Sequence, residues 1–264
     1  MDRRAIGADA RYYDARRNFM GLLEFDLVFK KFDLGMFQGN WTAEESTNYN
    51  MLIDRRRSPP LQLTNALIGQ STQSIAELLQ SGVSLRTLRA DATALSPISN
   101  MFAVGVNRPY SSRVRLGGDF RVNNMSGTGA TSTGQPGTVG SGNTYSYSVQ
   151  ATGNSLFREN DYGVASASYT SSKTYKGQSL SFTQVETLRQ SWRVDMSVLF
   201  YYQTDVLGTR QTQIRPSLKL NYRVNDSVNL EGEGGFEKIH TRSTTQNDKT
   251  RRKYFYVGYR WDFQ

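Results

Sequence analysis

"KYFYVGYRWDF" (Lys253–Phe263) alternates from end to end. Phe255, Val257, Tyr259, Trp261 and Phe263 fall at every second position, with Tyr254, Tyr256, Gly258, Arg260 and Asp262 between them. Successive side chains of a β-strand point to opposite faces, so this spacing predicts a strand with one aromatic face and one face that carries charge. In a soluble sheet the aromatic face covers a core; in an outer membrane it meets lipid.

The same period runs through the chain. Phe19, Gly21, Leu23, Phe25, Leu27 and Phe29 share one face of 18–30, and Met20, Leu22, Glu24, Asp26 and Val28 share the other. Val114, Leu116, Gly118, Phe120 and Val122 alternate with Arg113, Arg115, Gly117, Asp119 and Arg121. Trp192, Val194, Met196, Val198 and Phe200 alternate with Arg193, Asp195, Ser197, Leu199 and Tyr201. Ile214, Pro216, Leu218, Leu220 and Tyr222 alternate with Arg215, Ser217, Lys219, Asn221 and Arg223. About thirteen such segments are predicted, near 4–14, 18–30, 33–42, 47–55, 100–108, 112–124, 143–154, 160–172, 178–189, 191–204, 210–225, 228–241 and 251–263. Runs of about ten residues are long for soluble strands and right for tilted transmembrane ones.

Composition points the same way. Hydrophobic residues make up 37% of the 264, low for a soluble domain, while aromatics reach 12%. No run of 18 or more apolar residues exists, so no transmembrane helix is predicted. "MDRRAIGADARYYD" contains no apolar signal core. The expected fold is all-β: a transmembrane antiparallel up-and-down barrel of about 12–16 strands in the bacterial outer membrane. It forms one domain over 1–264 with a short helical insertion at 58–97.

A mid-membrane Arg or Lys facing lipid costs about 2–4 kcal/mol, which sets the orientation of each strand. Phe19, Phe25, Trp192, Phe200, Tyr222, Phe255, Tyr259, Trp261 and Phe263 are predicted to face lipid. Arg113, Arg115, Asp119 and Arg121 are predicted to line the lumen, as are Arg193, Asp195, Arg215, Lys219 and Arg223. Glu231, Glu233, Arg260 and Asp262 complete that set. With both signs present, this interior is either a salt-bridged filling or a polar conduit.

"LRQS" (188–191) and "VNDS" (224–227) read as tight turns. The links near 171–178, 204–210 and 241–250 read as longer polar loops, and 123–143 is longer still and rich in Gly, Ser and Thr. With short turns in the periplasm and a periplasmic C-terminus, Met1 falls on the external side. Complete single-chain bacterial barrels have even strand numbers, so thirteen implies either upstream strands or a count wrong by one. Residues 55–97 break the period. "STQSIAELLQSG" has a Ser/Thr start, Ile75, Leu78 and Leu79 at helical spacing, and Gly82 as a stop; "SLRTLRADATAL" follows with Ser84 as cap and Leu85, Leu88, Ala92 and Leu95 in step. Two short helices are predicted, forming a structured loop or a plug.

Catalytic chemistry has little to work with. The chain holds no cysteine and one histidine, His240, outside any HExxH pattern, so no metal or cofactor is implied. "GEGGFEK" (232–238) opens no helix and is no phosphate loop; its glycines are predicted to make room for large neighbours. No GxSxG occurs. The net charge of +9 is spread along strands among acids, so nucleic acid is not an expected partner. Basic "RRR" (55–57) and "TRRK" (250–253) at strand ends suit outer-membrane lipid and lipopolysaccharide.

"DRRRSPPLQLTNALIGQS" (54–71), "VNRPYSSRVRLGGDFRVNNMSGT" (106–128) and "TRQTQIRPSLKLNYR" (209–223) resemble the C-terminal barrel region of tetratricopeptide-repeat-containing bacterial outer-membrane proteins. That resemblance implies helices upstream that bind other envelope proteins, and it carries over no catalytic or binding residue. Three functions stay open: a passage or part of an export or assembly apparatus for a hydrophilic substrate, a filled barrel that anchors an assembly, and a soluble β-sandwich.

Overall fold

A computed structural model describes residues 3–71, 74–188 and 191–261. Expectations placed on Thr72 and Gln73, on Arg189 and Gln190, and on Asp262, Phe263 and Gln264 fall outside these residues. Thirteen strands form an all-antiparallel sheet in which each strand neighbours the next in sequence, from β1 to β13. By internal contacts the chain divides into two compact units. One holds Met1–Glu44, Asn48–Gly105 and Phe120–Tyr145; the other holds Glu45–Thr47, Val106–Asp119 and Ser146–Gln264.

The first unit contains β1 (Ala5–Tyr13), β2 (Arg17–Asp26), β3 (Lys31–Thr42) and β4 (Asn48–Arg57). It also holds the first part of β5 (Ile98–Pro109) and the last part of β6 (Val114–Met125). Register puts Tyr12 opposite Phe19, Phe19 opposite Gly39 and Trp41 opposite Tyr49. The rings of Tyr12, Phe19 and Phe37 stack in series at 6.3 and 6.1 Å, and Trp41 stacks on Tyr49 at 5.4 Å. These contacts form an aromatic ladder at the end of the short 14–16 turn. On the opposite face Arg3 pairs with Glu24 and with Asp33, and Asp54 with Arg56.

The insertion between β4 and β5 carries nearly all of the buried apolar surface. It contains a 3-10 turn (Leu63–Leu67), α1 (Ile75–Gln80) and α2 (Leu85–Ala94). Ser74 and Ser84 cap the two helices by accepting hydrogen bonds from Glu77 N–H and Thr87 N–H. Gly82 ends α1 at φ +92°: its N–H bonds Leu79 C=O, and Val83 N–H bonds Leu78 C=O, the paired bonds of a Schellman motif. Leu61, Leu63, Ala66, Leu78, Leu88 and Ala92 form a core with Phe29. Leu79 and Leu85, in step with the helical spacing, stay exposed.

Phe29 corrects the sequence reading, which ran the second strand to residue 30. Asp26 Oδ1 accepts from Val28 N–H and Phe29 N–H, both at 2.8 Å. The carboxylate draws the backbone into a turn, a local bond that competes with the ladder. β2 stops, and Phe29 swings into the insertion core. The Gly-rich segment after β6 is also tied down. Ser132 donates to Asp91 through N–H and Oγ at 3.0 and 2.6 Å, Gly129 N–H donates to Ala94 C=O, and Gln70 donates to Thr133 Oγ1.

The second unit contains most of β7 (Thr144–Asn154), with β8 (Tyr162–Ser171), β9 (Tyr175–Leu188), β10 (Trp192–Asp205), β11 (Arg210–Arg223), β12 (Val228–Arg242) and β13 (Asn247–Trp261). Among its described residues no hydrophobic side chain is buried. The links read as long loops at 171–178, 204–210 and 241–250 are short. Ser172 N–H bonds Tyr175 C=O, Asp205 Oδ1 accepts from Leu207 and Thr209 N–H, and Ser243 N–H bonds Gln246 C=O. Polar strand ends keep the backbone ladder without apolar alternation, which is why periodicity alone assigned them to loops.

Candidate functional site: a charged sheet face

Register in the second unit sorts every strand into the same two faces. Trp192, Met196 and Phe200 stand opposite Tyr222, Leu218 and Ile214; Tyr222 stands opposite Leu230, and Leu230 opposite Tyr259. Leu218 faces Gly234, which faces Phe255, and Val228 faces Trp261. The rings of Trp192 and Tyr222 lie 4.5 Å apart. Phe255, Tyr259 and Trp261 are 80%, 74% and 57% exposed. Burying side chains of this size is worth about 1.5–3 kcal/mol each, so this face requires an apolar cover.

The other face is mainly polar, with Val164, Val185, Leu199 and Ile239 among its members. Ser166 shares a 2.7 Å hydrogen bond with Ser181, Ser168 with Ser179, and Ser197 with Ser217. Asp195 stands opposite Lys219, Lys219 opposite Glu233, Asn221 opposite Glu231, and Asn229 opposite Arg260. Lys219 Nζ lies 3.3 Å from Glu231 Oε2, and Arg193 Nε donates to Asp195 Oδ1 at 2.8 Å. Gln213 Nε2 donates to Glu237 Oε1 at 2.6 Å. Arg215 stands opposite Leu199, on the far side of Ser217 from Lys219. On β6, Asp119 accepts from Ser148 Oγ at 3.4 Å, and Arg113, just before that strand, donates to Ser155 C=O. Arg115 shares that face by strand period, as does Arg121 in the first unit.

The structure therefore gathers Arg193, Asp195, Lys219, Glu231 and Arg260 around one cleft of about 440 Å³, with Thr187, Asn221 and Asn229 beside them. Arg223 reaches the same cleft while bonded to Asp226 in the adjoining turn. Arg113, Arg115, Asp119, Arg121 and Arg215 do not line it.

Two contributors share this face by alternation but are not among the predicted lumen residues. Tyr254 and Tyr256 lie opposite Gly235 and Glu233, and Tyr254 Oη donates to Glu233 Oε1 at 3.2 Å. A Cβ on Gly235 would lie 2.7 Å from Tyr254 Oη, and one on Gly258 would overlap the Tyr256 ring. Of the glycines of "GEGGFEK", Gly235 makes room for a large neighbour, whereas a Cβ on Gly232 would meet nothing within 4 Å. The serine seam was the other omission, although "VASASY" and "QSLSF" carry the same alternation.

At the cleft's end of the sheet, Asp161 closes the β7–β8 link. It accepts from Leu156, Phe157 and Arg158 N–H at 2.7, 2.7 and 3.0 Å. Burial pushes its pKa up, but these backbone donors outweigh burial and hold it below the ordinary carboxylate value. His240, the single histidine, shares a 2.7 Å bond with Asn247 Oδ1 across the β12–β13 hairpin.

Such faces define an up-and-down antiparallel sheet that is apolar on one side and charged on the other. Several solved structures align with most of the chain at low identity. In-vitro folded OmpT of Vibrio cholerae aligns at 11% identity and TM-score 0.40, over 98% of this chain and 89% of its own. Its loop L8 deletion mutant aligns at 10% and 0.42, over 97% and 89%. The KdgM porin, solved in complex with disordered oligogalacturonate, aligns at 10% and 0.31, over 98% and 100%. No protein-family model and no curated protein matches the sequence.

Proposed function

We propose that this protein spans the bacterial outer membrane as a β-barrel and forms a passage for a hydrophilic substrate. The observation that carries the reading is the segregation of faces, held in register across β10 to β13. On β10 the apolar face runs from Trp192 to Tyr202, ten residue steps or about 33 Å along the strand. At a tilt of about 40° this gives about 25 Å, the height of an outer-membrane apolar band. Turned the other way, the sheet would set Lys219 and Arg215 against lipid inside that band, at up to about 2–4 kcal/mol apiece at the midplane. The serines, tyrosines and mixed charges of the polar face offer hydrogen bonds to a polar solute without a strong preference of sign. The insertion at 58–97 would restrict the passage.

A second reading has its own support. Asp91, Ala94 and Gln70 are each bonded to the 126–142 segment, and Lys219 is neutralised by Glu231. These bonds suit a filled barrel that anchors an assembly.

Two measurements on the full chain separate the readings. Retention in membranes after a carbonate wash supports the barrel, and release as a soluble monomer removes it. Conductance steps in a planar bilayer that grow on deletion of residues 58–97 support the passage. A bilayer that stays closed after that deletion leaves the anchor.

A further inference from the structure

The apolar face of β11 to β13 changes character abruptly along its length. On β13 it reads Trp261, Tyr259, Val257, Phe255, and then Lys253, Arg251 and Lys249. On β12 it reads Val228, Leu230, Gly232, Gly234, Phe236, and then Lys238, His240 and Arg242. On β11 it reads Tyr222, Leu220, Leu218, Pro216, Ile214, Thr212 and Arg210.

Register brings the basic ends together. Lys253 stands opposite Phe236, Arg251 opposite Lys238, Lys249 opposite His240, and Arg242 opposite Arg210. Because the strands continue through 242 and 247, these side chains are held on one face of a hydrogen-bonded hairpin and do not dangle from a loop. Four residue steps on each strand and about 4.8 Å between strands give a patch of roughly 13 by 10 Å.

The nearby acids lie elsewhere. Glu237 and Asp248 occupy the polar face, where Glu237 meets Arg252 at 3.9 Å. Among the described residues no carboxylate pairs with Arg210, Lys238, Arg242, Lys249, Arg251 or Lys253. All six are exposed. Cations opposite one another on a sheet repel, so the cluster weakens the hairpin unless an anion sits over it.

We propose that this patch binds the phosphorylated headgroup of a glycolipid in the outer leaflet, with the acyl chains lying down the adjoining apolar face. The inference rests on the membrane-spanning reading above. Lys and Arg directly beyond an apolar band match an amphiphile whose phosphates sit directly beyond its hydrocarbon. Arginine supplies fork-shaped donors for phosphate oxygens, and lysine supplies mobile point charges. A free phosphate ion would use the cations and leave the apolar strip idle.

The test uses the full chain in detergent, with fluorescent diphosphorylated lipid A as the probe. Lys249→Gln/Arg251→Gln/Lys253→Gln removes half of the patch. Arg16→Gln/Arg86→Gln/Lys173→Gln removes the same charge from exposed positions outside the patch. The patch variant should bind the probe at least tenfold more weakly, the control variant as tightly as wild type, and dephosphorylated lipid A weakly in all three. Equal binding by the two variants overturns the proposal. So does equal binding of the dephosphorylated lipid, which shows apolar adsorption, or displacement of the probe by millimolar inorganic phosphate alone, which shows a simple anion site. A carbonate wash of wild-type membranes keeps the two readings apart: if the protein is released, the membrane-spanning reading fails; if it is retained and lipid A is ignored, only this inference fails.

Discussion

Lys219 bonds diagonally: its direct cross-strand partner is Glu233, yet its ammonium lies 3.3 Å from Glu231, which stands opposite Asn221. Lys219 therefore pairs with Glu231, while Glu233 accepts from Tyr254 Oη. The pair is partly solvated, and a contact of this kind is worth about 1 kcal/mol at most. Its larger effect is on the local field. Lys219→Gln should leave the urea midpoint nearly unchanged and, if the barrel conducts ions, make it more cation-selective. The reversal potential across a KCl gradient reports this, and an unchanged value would show that Glu231 and Glu233 lie off the conduction path.

Gly258 should resist a side chain while Tyr256 is present. A Cβ there would come 2.6 Å from Tyr256 Cζ and 3.0 Å from Cε1. Tyr256 is 56% exposed, so its ring can turn aside, and leaving its preferred rotamer costs about 0.5–1.5 kcal/mol. Gly258→Val should lower stability by that amount, and Tyr256→Ala/Gly258→Val should recover most of it. A double-mutant cycle of unfolding free energies measures the coupling, and strictly additive losses would refute the packing argument.

Much of this architecture was legible from the period of two. All thirteen segments are strands, because alternation on a half-lipid surface survives even where Gly, Ser and Thr dilute it. Ser84 as cap and Gly82 as stop were legible because capping chemistry is local. Phe29 was not, because the bond from its own N–H to Asp26 overrides the pattern. Neither was the tip of the β12–β13 hairpin: Arg242 and Asn247 to Thr250 are held by backbone pairing that leaves no apolar signal. The cleft was half legible. Alternation puts Arg193, Lys219 and Glu231 on one face, but only register brings Asn221 and Arg260 beside them.

Asp161 should titrate below the ordinary aspartate value of about 3.9. Burial alone would raise it, and the three N–H donors of residues 156–158 reverse that sign. A depressed folded pKa means that the carboxylate stabilises the link at neutral pH. That contribution is lost as pH falls from the ordinary value through the lower folded one. The carboxyl carbon shift of Asp161, followed by NMR, gives the midpoint directly. A midpoint at or above the value in an unfolded peptide contradicts the assignment.

Leu88 should decouple the insertion from the strands. It is fully buried on α2 within the core formed with Phe29, Leu61 and Leu78, whereas the strands carry almost no buried apolar surface. Truncating such a leucine costs about 2–5 kcal/mol. That loss falls on the helices of 58–97, and the cross-strand pairing of β8 to β13 does not share it. Leu88→Ala should therefore speed proteolysis within 58–97 while the strands stay protected in the membrane. If the insertion restricts a passage, the same variant should also raise the frequency of open conductance steps. Faster cleavage with a closed trace would place the insertion away from the path and favour the anchor reading.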